Sequence, residues 1–187
     1  FKVATIRPFK GIRPVRELAS KIAALPYDVM NSDEARKMVV DNSHSFLHVD
    51  RAEVDLDPSI DVHDKRVYEK ARENLDKMID DGEYIQDEIP CLYIYRQIMN
   101  GRSQTGIVFC ASIDDYLNNV IKKHEFTRAD KELDRINHVD YCDANTGPIF
   151  LTYKEEQIAS EIIEAWIENE SKRKPIYNFT AEDGITH

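Results

Sequence analysis

Two clusters of basic residues are the parts of this sequence whose types and spacing could do chemistry, and in both the chemistry is anion recognition. Residues 1–21 carry Lys2, Arg7, Lys10, Arg13, Arg16 and Lys21 against the single acidic Glu17. The rest of the chain holds 19 basic and 34 acidic side chains, so the sign of the charge reverses locally. Arg7, Lys10 and Arg13 share a short loop with Pro8, Gly11 and Pro14. The prolines stiffen it, and Gly11 lets the backbone approach a ligand closely. Two readings stay open here: an anion site, or cations that pair with the acidic remainder.

The second cluster is Lys122, Lys123, His124, Glu125, Phe126, Thr127 and Arg128, followed by Lys131 and Arg135. Thr127 with Asp130 three residues on has the spacing of a capping box, which starts a helix there. On that helix Arg128, Lys131, Arg135 and His138 share one face, while Ala129, Leu133 and Ile136 share another. Cations beside a helix N-terminus join free N–H groups and a dipole that already favour anions. Phosphate or carboxylate is the natural ligand, with arginine supplying two-point contacts. Glu132 and Asp134 interleave and offer ordinary neutralising pairs instead.

Weaker signals surround these clusters. His44, His48 and Asp50 would share a face of an extended segment, which is metal-like spacing, although a hydrogen-bonded structural histidine is commoner; no metal is assigned. Glu53, Asp55, Asp57 and Asp61 lack the spacing and glycine of a calcium loop. Asp28, after Pro26 and Tyr27, reads as a base at a helix end or as a turn cap. Asn145, Thr146, Gly147 and Pro148 are turn chemistry, and a ligand loop only if they face a basic cluster. Glycine-rich phosphate loops, dinucleotide fingerprints, zinc-protease helices, EF-hands and nucleophile elbows are all missing from the sequence.

The elements that must position these residues follow from the pattern. The chain has 187 residues, a net charge of −10, and is 42% hydrophobic and 32% charged, which suits a folded domain of cytoplasmic type. The acidic balance argues against wrapping duplex nucleic acid, and no run approaches the roughly 18–20 apolar residues of a membrane span. Residues 3–7 read as a strand, 15–24 as a helix, and Asn31 with Glu34 as a capping box opening a helix to 40 or 41. Residues 46–49 read as a strand. Residues 64–81 form a helix with Val67, Ala71, Leu75 and Met78 inward and Gly82 as its stop. Asn100 and Gly101 close a hairpin of 91–99 with 102–112, whose continuous apolar runs imply cover on both faces. Its register sets Cys91 opposite Cys110; the expectation is two free thiols, with a strained cross-strand disulfide as the alternative. A helix over 127–142, a strand over 148–153, a helix over 155–170 with Ile158, Ile162 and Trp166 inward, a strand over 174–180 and a turn over 181–184 complete the pass. The fold class is α+β or mixed α/β: a mixed, partly antiparallel sheet with a central β-hairpin (91–112) covered by helices. Residues 1–187 read as a single N-terminal domain or fragment of a longer protein, because the last expected strand stops after three residues.

Several of these stretches also occur together in a recognisable order. Arg7 to Pro14, then Pro26 to Val29, then Ser45 to His48 with Arg51 and Glu53, then His124 to Thr127 with Lys131, Asp134 and Arg135, then Gly147, Pro148 and Ile149, resemble the bacterial and archaeal family called domain of unknown function 1015. The resemblance covers nearly the whole chain. It implies relatives about twice this length, with a later Asp-Gly-His-His-Arg motif similar to that of ParB- and sulfiredoxin-like domains, which this chain lacks. By analogy it implies phosphoryl transfer to a small metabolite, such as free serine in serine metabolism. His124 and Glu125 would then be catalytic, for proton transfer or magnesium organisation. Thr127, Arg128, Lys131 and Arg135 would clamp phosphate, with Arg7, Lys10 and Arg13 closing the other side. Asp28, His48 and Arg51 would be auxiliary. A nucleotide or pyrophosphate donor with magnesium, a small anionic ligand, and the absent C-terminal half as partner complete the expectation, under which this piece alone is an inactive kinase fragment. The alternatives are a ParB-like nucleic-acid-binding partition module and a non-catalytic scaffold whose cations pair internally.

Overall fold

The longest helix organises the larger part of the molecule. Helix α4 (Lys65–Asp80) opens where the Asp64 carboxylate accepts the Arg66 N–H. It stops ahead of Gly82, whose φ of +75° is the left-handed conformation that glycine adopts without steric cost. Val67, Ala71, Leu75 and Met78 are buried, as their spacing requires. The computed structural model describes residues 3–124, 126–154, 156–169, 174–181 and 183–187. Ahead of α4 come β1 (Ile6–Arg7), β2 (Ile12–Pro14), α1 (Ala19–Ile22), α2 (Ser32–Val39), α3 (Leu47–Asp50) and a 3-10 turn (Ala52–Asp55). After it come β3 (Tyr84–Gln86), β4 (Tyr93–Met99), β5 (Arg102–Val108), β6 (Cys110–Ala111), α5 (Ile113–Leu117), α6 (Ala129–Cys142) and α7 (Gln157–Glu168).

The fold is α+β, and among the described residues the strands form three separate antiparallel pairs: β1 with β6, β2 with β3, and β4 with β5. Two compact units result, Phe1–Cys91 with Phe109–Thr146, and Leu92–Val108 with Gly147–His187. In the first, α4 packs on α3, on the 3-10 turn and on α6. Ile22, Val49, Ala52, Ala71, Leu75, Met78, Tyr84 and Cys142 form its core with Val67. Helix α2 carries the expected capping box: Asn31 Oδ1 accepts the Glu34 N–H at 3.0 Å, and Glu34 Oε2 accepts the Asn31 N–H at 2.8 Å. In the second unit, Asn100 (φ 52°) and Gly101 (φ 76°) close the β4–β5 hairpin. Thr186 bridges to Ile98 and to Thr180, and the Tyr95 hydroxyl meets His187 Nδ1 at 2.7 Å.

Several expectations need correction. Residues 46–49 are not a strand but lead into α3, since a short apolar run has no period that separates a strand from a buried helical turn. Helix 15–24 shortens to α1. Residues 148–153 carry no ladder, and the strand over 174–180 reduces to one bridge at Thr180. The hairpin is shorter than 91–112 and half-exposed rather than covered on both faces. Its ends are taken by the N-terminal strand: Cys91 pairs with Phe9 and Cys110 with Arg7, so the two cysteines do not face each other in a ladder. All three thiols are free. Ile158, Ile162 and Trp166 are exposed on α7, while Ala159, Ser160, Ile163 and Ile167 are the half-buried positions. That helix is apolar on two sides, and periodicity could not choose between them.

Candidate functional site

Helix α6 decides which of the second cluster's side chains meet. Its N-cap is Arg128, with extended backbone and no side-chain capping bond, so the box expected from Thr127 and Asp130 does not form. Asp130 instead accepts the Arg128 guanidinium, at 3.1 Å from Nε and 2.7 Å from Nη2. The face assignment is also corrected. His138 is only 3% exposed, whereas Leu133, Ile136 and Val139 lie at the surface. Burial of His138 is made tolerable by partners at both ring nitrogens. Nε2 donates to the Val49 carbonyl at 3.0 Å, and Thr146 Oγ1 lies 3.3 Å from Nδ1. Asp50 sits beside this pair, its carboxyl pushed above the usual range by burial against the opposing pull of His138, Thr146 and Arg135.

With His138 turned inward, Thr127, Lys131 and Arg135 come to line one open cleft of about 420 Å³, together with Tyr27, Glu132, Ile136, Val139 and Asp140. The Arg135 guanidinium lies over the Tyr27 ring, 4.0 Å from its centroid, a cation–π stack. On its side edge, Nε and Nη2 both donate to Asp134 Oδ2, at 3.0 and 2.8 Å. Asp134 Oδ1 is itself held by the Tyr68 hydroxyl at 2.8 Å and by His63 Nδ1 at 3.1 Å. Burial pushes the Asp134 carboxyl up, but the bonds from Tyr68, Arg135 and His63 outweigh it, and the group stays below the usual carboxylate range. Burial and the neighbouring carboxylate together push the Tyr68 hydroxyl up to about 12.

The remaining candidates are dispersed. Arg13 is engaged by Asp87 across β2 and β3, with Nε 3.0 Å from Oδ1 and Nη2 2.8 Å from the same oxygen. Arg7 and Lys10 are exposed, and neither they nor Arg13 lines the cleft. Arg128 is spent on Asp130. His124 is exposed and is not part of the cleft lining, and Glu125 lies outside the described residues. Asp28 is exposed in the turn next to Tyr27. His48 is on a helix, not an extended segment; Asp55 meets its Nδ1 at 2.9 Å, and the Asn42 carbonyl lies 3.2 Å from its Nε2. His44 meets Glu83 at 2.9 Å. No group of three or more histidine, cysteine or acidic side chains converges as a metal site among the described residues. Nor do the cleft's two carboxylates fit a chelated magnesium. Glu132 and Asp140 stand eight residues apart on α6, a rise of about 12 Å.

Arg51 is tied into the fold at all three of its nitrogens. Its Nη1 donates to the Tyr27 carbonyl at 3.3 Å and its Nη2 to Ser32 Oγ at 3.1 Å, while Nε lies 2.9 Å from buried Glu53. It holds the loop on which Tyr27 stands. Sequence reasoning missed Tyr27, Tyr68 and His63 as neighbours of Arg135. The only signal for Tyr27 was its place beside Asp28, and nothing in the spacing pointed to the other two.

No curated protein and no solved structure matches the chain. The family model described as "Protein of unknown function (DUF1015)" matches residues 6–187, so the ordered stretches from the N-terminal basic loop to the end of the chain are those of one family, and the chain belongs to it.

Proposed function

We propose that this chain is the anion-holding part of a small-metabolite phosphotransferase, with the cleft of Tyr27, Thr127, Lys131 and Arg135 as its binding site. The observation that carries the reading is convergence: three residues selected from the sequence for anion chemistry line one cleft, beside the start of a 14-residue helix whose cap is not filled by a side chain. A phosphoryl-transfer site works largely by positioning and charge stabilisation, which is what two cations and a hydroxyl can supply. The acceptor class is a small hydroxyl metabolite, with free serine the first to assay. A catalytic role for His124 is not part of this reading, since the cleft lining does not include it, and Glu125 lies outside the described residues.

A scaffold reading has one observation in its favour: Arg13, Arg128 and Arg135 each bond a carboxylate. It also calls for no cleft beside them, and Arg135 lines one. Calorimetric titration with inorganic phosphate, pyrophosphate, ADP, ATP and phosphoserine separates the two. The expected result is saturable binding of at least one of these, weakened about tenfold in Arg135→Gln, the loss of one charge-assisted fork. Absence of binding by all five would remove the proposal and leave the scaffold.

A further inference from the structure

We infer that Asp134 is a positioning residue: it fixes Arg135 so that one edge of the guanidinium stays open to a ligand presenting two oxygens. This rests on the cleft being an anion site and names the shape of anion it takes. A guanidinium has two usable edges, a side edge made by Nε with Nη2 and an end edge made by Nη1 with Nη2. Asp134 takes the side edge through a single oxygen, Oδ2. Its other oxygen is anchored by Tyr68 and His63, both on the α4 side of the contact between α4 and α6. The Tyr27 ring covers one face of the guanidinium. A planar group held at one edge and on one face has lost its rotational freedom before any ligand arrives, which lowers the cost of ordering it on binding. Among the described residues no partner bonds Nη1, so the end edge remains for a carboxylate or a phosphate group.

The same lining bounds the size of the ligand's charge. Lys131 and Arg135 are balanced in the cleft by Glu132 and Asp140. A neutral lining offers little to a polyphosphate, whose successive charges would meet the two carboxylates. It suits one compact oxyanion seated on the Arg135 fork, with the apolar Ile136 and Val139 beside it.

Removing Asp134 also removes a negative charge, which by itself strengthens every anion. Affinity alone therefore cannot test positioning, but shape preference can. Inorganic phosphate and acetate present two oxygens to a fork, whereas iodide is a sphere. The test is an NMR titration of the Lys131 and Ile136 backbone N–H signals with phosphate, acetate and iodide, for the unaltered chain, Asp134→Ala, Tyr68→Phe and Arg135→Gln. The expected result is a preference for phosphate or acetate over iodide that falls about tenfold in Asp134→Ala, the value of one lost two-point contact. Tyr68→Phe keeps the charge and loosens the anchor, so the same preference falls by a smaller factor; it also serves if Asp134→Ala folds poorly. An unchanged preference in Tyr68→Phe and in folded Asp134→Ala, with binding still dependent on Arg135, overturns the positioning role and leaves the anion site standing. Binding that survives intact in Arg135→Gln overturns both.

Discussion

The two basic clusters look alike in sequence and end in different circumstances. In the first, Arg13 meets Asp87 across a two-stranded ladder, and the side chains are about one-fifth exposed. In the second, Arg135 also meets a carboxylate, yet it lines a cleft. Local charge reversal therefore marks where cations concentrate, not what they face. What separates the cases is geometry. Neighbouring strands set an acidic side chain within reach of Arg13, whereas on α6 the pairing partner Asp134 is adjacent in sequence and reaches only the side of Arg135. The candidate residues divide on the same line into those consumed by the fold (Arg13, Arg51, His48, Arg128) and those left facing the cleft (Tyr27, Thr127, Lys131, Arg135).

Arg51→Ala strikes the first group hardest. Glu53 is only 4% exposed, and Arg51 is the ion-pair partner of its carboxylate, with Ser32 Oγ donating to the same carboxylate oxygen at 3.0 Å. Removing one partner of a buried ion pair leaves an uncompensated charge and costs about 3–5 kcal/mol. Urea denaturation is the measurement. A loss well under 1 kcal/mol would mean that Glu53 finds other solvation and that Arg51 is not consumed by the fold. The calorimetric comparison of Arg135→Gln with the unaltered chain is the counterpart for the second group, an effect on binding of about tenfold, or 1.4 kcal/mol.

His48 and Asp55 give the consumed group a dependence on pH. The hydrogen bond to Asp55 raises the His48 ring above its ordinary value, against the cost of burial. Burial alone would raise Asp55, but bonds from His48 and Asn74 outweigh it and hold the carboxyl low. A raised histidine contributes stability that is present below its unfolded pKa and lost as pH climbs through the folded one. A lowered carboxyl contributes stability present above its unfolded pKa and lost as pH falls through the folded one. The pair is thus worth most between about pH 4 and pH 6.5 and fades on either side. Denaturation midpoints measured from well below pH 4 to well above pH 6.5 should show both shoulders in the unaltered chain and neither in Asp55→Asn. Shoulders that persist in the variant would assign them to other groups.

Much of the fold was legible because local chemistry decided it. The capping box of Asn31 and Glu34, the α4 period ending at Gly82, and the Asn100-Gly101 hairpin all lie within a few residues of their causes. The orientation of α6 was not legible. It turns on His138 finding the Val49 carbonyl, 89 positions away, and the Thr146 hydroxyl, which reverses the burial that hydrophobic spacing alone assigns to Leu133 and Ile136. For the site, Thr127, Lys131 and Arg135 were readable as helix-face cations. Tyr27 and Tyr68 reach Arg135 and its carboxylate only through tertiary contacts, 108 and 66 positions distant in the chain.

Arg128→Ala carries the smallest expected effect and is the most direct challenge to the division. Arg128 precedes α6 by one residue and sits next to Thr127, so by sequence position it belongs with the cleft. Its guanidinium instead closes on Asp130, with the two side chains 75% and 55% exposed. Exposed pairs of this kind contribute little, because water solvates both charges once they separate. The variant should therefore keep the denaturation midpoint and the phosphate affinity of the unaltered chain, both within error. An affinity loss matching that of Arg135→Gln would show Arg128 leaving Asp130 for the ligand, and it would move the boundary between the two groups into the first turn of the helix.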